Sequence, residues 1–142
     1  MNVFFRTKTS QDKLSMEPLQ RLEKSILIVD DAVEVQSHLG QLLQVMGFQS
    51  IECASCGDQA YSLLEQHDYD ILFLDIELPD FDGKEMLDRI SLDYPDTKVI
   101  MCSGHNTLEN IKQTWEMGAK GFVSKPFDEH KVATILKRID AI

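Results

Sequence analysis

Five residues of this 142-residue chain are of types that could do chemistry together: the adjacent pair Asp30 and Asp31, then Asp75, Ser103 and Lys125. Carboxylates gathered within a few ångströms of one another do not all stay ionised without a cation among them. Hard oxygen donors on loops suit Mg²⁺, which takes one or two carboxylates, keeps several waters and accepts a phosphate oxygen; Mn²⁺ shares this preference. A hydroxyl and an ammonium facing such a centre, here Ser103 and Lys125, are what a phosphoryl group on a carboxylate needs for its oxygens. The set therefore suits the carriage of phosphate on Asp75.

Residues 95 positions apart can meet only if the fold brings them together, and the elements that would do so are visible. An apolar run over 25–29 leads into Asp30-Asp31, a second over 70–74 into Asp75, and a third over 97–102 into Ser103. A fourth over 120–123 closely precedes Lys125, and a fifth spans 48–53. Helical periods separate them. Residues 35, 39, 42, 43 and 46 are apolar in the segment 33–46, which Gly47 closes. Helices are likewise predicted over 58–66, 84–92, 108–117 (stopped by Gly118) and 128–139. Five short strands each followed by a helix predict an α/β fold, a doubly wound five-stranded parallel sheet with helices on both faces. Right-handed crossovers place the functional groups at the carboxyl ends of the strands. With strand order 2-1-3-4-5, Asp30, Asp31 and Asp75 are expected on one side of a shallow cleft, with Ser103 and Lys125 on the other.

Composition narrows the function classes. A chain with 43% hydrophobic and 27% charged residues can bury a core and is one domain in size. Its formal charge of -10 argues against direct nucleic-acid binding. No apolar run approaches the roughly 20 residues of a membrane span, and no signal-peptide core opens the chain, so a cytoplasmic protein is expected. Residues 1–24 hold five basic and three acidic groups, while the other 118 hold nine and 21. The first segment is expected to be an N-terminal extension, a flexible arm over 1–12 and a short helix over 13–24, preceding a domain over 25–142. Cys53 and Cys56 form a CxxC at a strand-to-helix junction, but on the sheet edge away from the acidic cleft and without a second pair for zinc. His38, His67 and His130 read as surface residues, whereas His105 lies two past Ser103, on the loop above the site.

Taken in order, these residues resemble the receiver domain of two-component response regulators, in its single-domain, chemotaxis-regulator-like form. The resemblance runs from residue 25 to about 140. It rests on Ile26-Leu27-Ile28-Val29-Asp30-Asp31, on Leu72-Phe73-Leu74-Asp75-Ile76-Glu77-Leu78-Pro79 with Asp82-Gly83, on Ser103-Gly104, and on the run from Gly118 through Lys125-Pro126-Phe127. The intervals of 44, 28 and 22 residues between Asp31, Asp75, Ser103 and Lys125 fit it as well.

The resemblance implies a flavodoxin-like (βα)5 fold and a mechanism. A histidine kinase or histidine phosphotransfer protein would pass a phosphoryl group from phosphohistidine to Asp75. Mg²⁺ would be held by Asp31, Asp75 and the backbone carbonyl of Glu77, with Asp30 reaching it through water. Ser103 and Lys125 would grip the phosphoryl oxygens, a cis bond at Lys125-Pro126 would aim the lysine inward, and Phe122 would follow Ser103 as a switch aromatic. Such a domain is not an enzyme in the ordinary sense; it catalyses its own phosphorylation and a slow autodephosphorylation.

Glu77 and His105 depart from the common pattern and flank the line of water attack, so they are expected to tune the phosphoryl lifetime. Output is expected through protein–protein contact, because no helix-turn-helix or catalytic segment follows residue 139. The candidate face is the fourth helix, fifth strand and fifth helix, with Ile111, Trp115, Phe122 and Ile135 toward a downstream protein target. Ile111 and Trp115, four apart, share one side of their helix. Phe127 is expected to pack in the core. The protein would be a monomer or a phosphorylation-dependent dimer. A phosphorelay shuttle and the N-terminal receiver of a longer regulator are the alternatives. A haloacid-dehalogenase-like phosphatase also uses a strand-end Asp, a hydroxyl and a Lys. Here the acidic pair comes first and 142 residues leave no room for a cap insertion.

Overall fold

The structure is a computed structural model that describes residues 21, 23–105 and 107–142. The arm expected over 1–12 and most of the helix expected over 13–24 lie outside the described residues; Arg21 and Glu23 are helical. Five strands and five helices then alternate: β1 (Ser25–Val29), α1 (Val33–Val45), β2 (Ser50–Ala54), α2 (Gly57–Gln66), β3 (Ile71–Asp75), α3 (Gly83–Asp93), β4 (Lys98–Ser103), α4 (Leu108–Glu116), β5 (Gly121–Ser124) and α5 (Glu129–Arg138). All pairings are parallel, and the sheet order is β2-β1-β3-β4-β5, the expected doubly wound, flavodoxin-like arrangement.

Side chains on a strand alternate between faces, so the central strands feed two cores. Ile26, Ile28, Ile71, Phe73, Ile100 and Cys102 pack with Leu39 and Leu43 of α1 and Val132 and Leu136 of α5. Leu27, Val29, Leu72, Leu74, Val99 and Met101 pack with Ala60 and Leu64 of α2 and Met86, Leu87 and Ile90 of α3. Burial on both faces explains why these strands read as continuous apolar runs.

Three helices end in the same way, and after two of them this sets where the next strand begins. Gly47 adopts φ +103°, its N–H bonds Gln44 O, and Phe48 N–H bonds Leu43 O, a left-handed helix stop with paired backward bonds. Phe48 therefore belongs to the end of α1, fully buried, and β2 starts at Ser50 rather than at the expected residue 48. Gly118 closes α4 by the same geometry. After α5 the left-handed position is held by Asp140, with φ 60°.

Candidate functional site

Four strands bring the candidate residues to the carboxyl edge of the sheet: β1 brings Asp30 and Asp31, β3 Asp75, β4 Ser103 and β5 Lys125. Asp30 follows β1 directly and is 2% exposed. Its backbone is anchored by Asp30 N–H to Ala54 O (3.0 Å) and by the Gln36 side-chain amide donating to Asp30 O (2.6 Å). Asp75 is the last residue of β3, 5% exposed. Asp31 is exposed, and one carboxylate oxygen from each of Asp30, Asp31 and Asp75 lies within 4.8 Å of the others. Three hard oxygen donors at this spacing fit a small divalent cation of the Mg²⁺ class.

Lys125 does not sit opposite the carboxylates, as the strand order had led us to expect; it reaches in among them. Its Nζ lies 2.6 Å from Asp30 Oδ2 and 3.2 Å from Asp75 Oδ2. Two buried carboxylates form a deep potential well, and a lysine stem long enough to enter it does so. Burial pushes the Asp75 carboxyl above its ordinary value, although the Glu77 N–H and the Lys125 ammonium pull the other way. Burial alone would lower Lys125; bonding to Asp30 and the charge of Asp75 outweigh it and hold the ammonium above its ordinary value. The Lys125-Pro126 peptide is cis.

Ser103 ends β4 and is 1% exposed. Its Oγ accepts from His105 N–H at 2.8 Å, and its carbonyl accepts from Lys125 N–H at 2.8 Å. Glu77 N–H donates to Asp75 Oδ1 at 3.2 Å, while the Glu77 side chain turns away from the acidic cluster toward His105, with Oε2 3.3 Å from Nδ1. The two departures from the common pattern thus meet across the mouth of the cleft.

The loop after Asp75 is held closely. Gly83 N–H bonds Ile76 O at 2.8 Å, and a Cβ on Gly83 would collide with the Asp75 carbonyl and with Ile76. Only glycine lets α3 start directly beneath the acceptor. Asp82 caps α3 by accepting from Lys84 N–H. Asp80 reaches across to the start of α2, where Cys56 provides no side-chain cap, and accepts from Gly57 N–H (2.7 Å) and Asp58 N–H (3.0 Å). The Gly57 amide, with that of Asp58, holds the Asp80 carboxyl below its ordinary value. Phe81 stacks edge-on against Tyr61 beside it.

The interface candidates divide. Trp115 is 61% exposed and Leu108 82% on the same helix, Ile111 is partly buried, and Phe122 is half-buried against the core. Ile135 does not belong with them. It is 7% exposed and fills the space above Gly121, because it stands on the stripe of α5 that faces β5. Phe127 is buried in the core, as expected. Cys53 is exposed on the edge strand β2 and its thiol is pushed up by partial burial. His38 is more than a surface residue: its Nε2 lies 2.9 Å from the carbonyl of Phe127, just past the cis bond. Sequence reasoning missed this contact, the Asp80 cap and the contacts of Lys84 described below, since each joins loops or helices at least 22 positions apart. The Asp-x-Asp-Gly spacing of Asp80, Asp82 and Gly83 was the only available hint.

A parallel sheet with an acidic cluster, a buried hydroxyl and a lysine at one edge places the chain among doubly wound α/β domains whose site lies at the strand ends. Residues 26–137 match the family described as the response regulator receiver domain, and the chain belongs to that family. It is similar to chemotaxis protein CheY of Listeria monocytogenes, 33% identical over 113 residues that cover 80% of this chain and 95% of that one. It is similar to sporulation initiation phosphotransferase F of Bacillus subtilis, 29% identical over 117 residues, covering 82% and 94% respectively. Among solved structures it resembles the CheX–CheY–BeF3–Mg²⁺ complex of Borrelia burgdorferi, with 33% identity, TM-score 0.78 and coverage of 82% of this chain and 88% of that one. Receiver domains are the phospho-accepting modules of two-component signalling, and that is the general role of this chain. No helix among the described residues is long and apolar enough to cross a membrane.

Proposed function

We propose that Asp75 accepts a phosphoryl group from a phosphohistidine of a histidine kinase or histidine phosphotransfer protein. The bond from imidazole nitrogen to phosphorus breaks, a bond from an Asp75 oxygen to phosphorus forms, and the imidazole leaves. The observation that carries this reading is the environment of Asp75. It is one of two buried members of a three-carboxylate cluster, it ends a strand, and a lysine ammonium lies 3.2 Å from it. Asp30, Asp31 and Asp75, with the Glu77 carbonyl, would hold Mg²⁺, which supplies charge neutralisation on the transferring group. Lys125 follows the new charge from the carboxylate to the phosphoryl oxygens. The Ser103 hydroxyl turns to donate to another of those oxygens, and Phe122 moves into the space this leaves. The readout is α4, β5 and α5, where Ile111, Trp115 and Phe122 meet a downstream protein.

Incubation with Mg²⁺ and a phosphohistidine donor should label the wild type and leave Asp75→Asn unlabelled; label on Asp75→Asn would overturn the assignment. Glu77 and His105 guard the line of water attack, so Glu77→Ala and His105→Ala should each change the half-life of the label. An unchanged half-life in both would remove them from that role. The likeness to a sporulation phosphotransferase supports a second reading, a relay shuttle. Transfer of label from Asp75 to a purified histidine phosphotransfer protein distinguishes it from a terminal effector.

A further inference from the structure

We propose that Lys84 is a positioning residue, a clasp that holds α4 and the Ser103 loop in the arrangement seen here and so sets how readily Asp75 takes up a phosphoryl group. This rests on the reading of Asp75 as acceptor and Ser103 as its partner. Lys84 is the second residue of α3, next to the glycine that lies beneath Asp75. A lysine on a helix surface ordinarily keeps its rotamer freedom in water; this one is half-buried and crosses to α4. Its Nζ donates to Asn110 Oδ1 at 2.7 Å and to Gln113 Oε1 at 2.6 Å. Three residues apart, these two acceptors share one face of α4.

The bonds continue to the site. An ammonium only donates, so Asn110 must turn its oxygen to Lys84, which leaves its NH₂ for another acceptor. Asn110 Nδ2 donates to His105 O at 3.0 Å, and His105 N–H donates to Ser103 Oγ at 2.8 Å. These bonds, joined through the backbone of His105, therefore link α3 to the hydroxyl that the phosphoryl group would recruit.

The two helices differ in how firmly they are held. Gly83, Met86, Leu87 and Ile90 of α3 are buried, whereas Thr114 is the only buried residue of α4. With so little apolar anchorage, α4 is the element free to shift, and the polar clasp decides its resting place. Turning Ser103 Oγ toward a phosphoryl oxygen draws on the His105 bond and then on Asn110, so the clasp opposes the phosphorylated arrangement. Loss of the clasp removes that opposition and favours uptake.

The test is a titration with beryllofluoride and Mg²⁺, followed by the fluorescence of Trp115, the single tryptophan of the chain. Lys84→Met should lower the half-saturating concentration roughly fivefold. Lys84→Arg, still able to donate to both amides, should stay near the wild type. Gln113→Leu, made from the α4 side at an exposed position, should move it in the same direction by a smaller factor. Half-saturation equal to or weaker than wild type in both Lys84→Met and Gln113→Leu, with unchanged circular dichroism, would overturn the clasp and leave the acceptor reading intact. A wild type whose Trp115 does not respond at all would overturn the coupling of α4 to the site and the clasp with it, while labelling of Asp75 tests the acceptor reading separately.

Discussion

Two clusters at opposite ends of the sheet carry opposite charge, and they meet it differently. At the carboxyl end, Asp30, Asp31 and Asp75 face Lys125. At the amino end, Lys98, Lys120 and Arg138 line a groove of about 480 Å³ that also holds Trp115 and Asp140. The amino-end cations sit where α4 and α5 end, so the exposed carbonyl ends of those helices complement them. Lys98 Nζ donates to Ile139 O at 2.6 Å, and Lys120 and Arg138 stand in water. At the carboxyl end the helix starts also complement the charge, and Ala32 N–H donates to Asp30 Oδ1 at 2.9 Å. Two of its three carboxylates are buried, however, so the excess there is not screened. Charge sign follows helix direction at both ends; burial is what turns one end into a cation and phosphoryl site and leaves the other a solvated surface.

The largest effect expected from this difference is at Lys125. Lys125→Met leaves Asp30 and Asp75 buried without their ammonium and should cost about 3 kcal/mol, measured by urea unfolding without added divalent cation. A cost no larger than that of an amino-end substitution would break the comparison. Asp75→Asn comes next, with the opposite sign. Because burial raises the folded carboxyl above its unfolded value, ionising Asp75 weakens the fold, fully so above that raised value and not at all below the ordinary carboxylate range. Asp75→Asn should therefore unfold at a higher temperature than wild type near neutral pH. The gain should fade as pH falls through the raised value and vanish below about pH 3.9. The smallest effect belongs to Lys120→Met, where an exposed cation at a helix end should change stability by less than about 0.5 kcal/mol.

The acceptor set was legible because four of its members lie at or just beyond the end of an apolar run. Asp30 and Asp31 follow β1, Asp75 ends β3 and Ser103 ends β4. A doubly wound order then makes their meeting a matter of topology. Ile135 was misplaced for a reason of the same kind. Helical periodicity marks an apolar stripe but not which of its members faces a strand, and Gly121, without a side chain, left the space that Ile135 fills. Lys84 and His38 left no local signal and Asp80 only the Asp-x-Asp-Gly spacing, since each finds its partner on an element distant in sequence.

By itself the sequence determined the alternation of strands and helices, the two-faced burial of the sheet, and the residues that reach its carboxyl edge, because periodicity and strand ends are local properties of the chain. Tertiary structure alone decided that Lys125 enters the carboxylate cluster, that Glu77 turns toward His105, that Asp80 caps a helix other than its own, and that Lys84 ties α3 to α4. Those outcomes depend on distances between segments and on which charges are buried together, and neither is set until the layers pack.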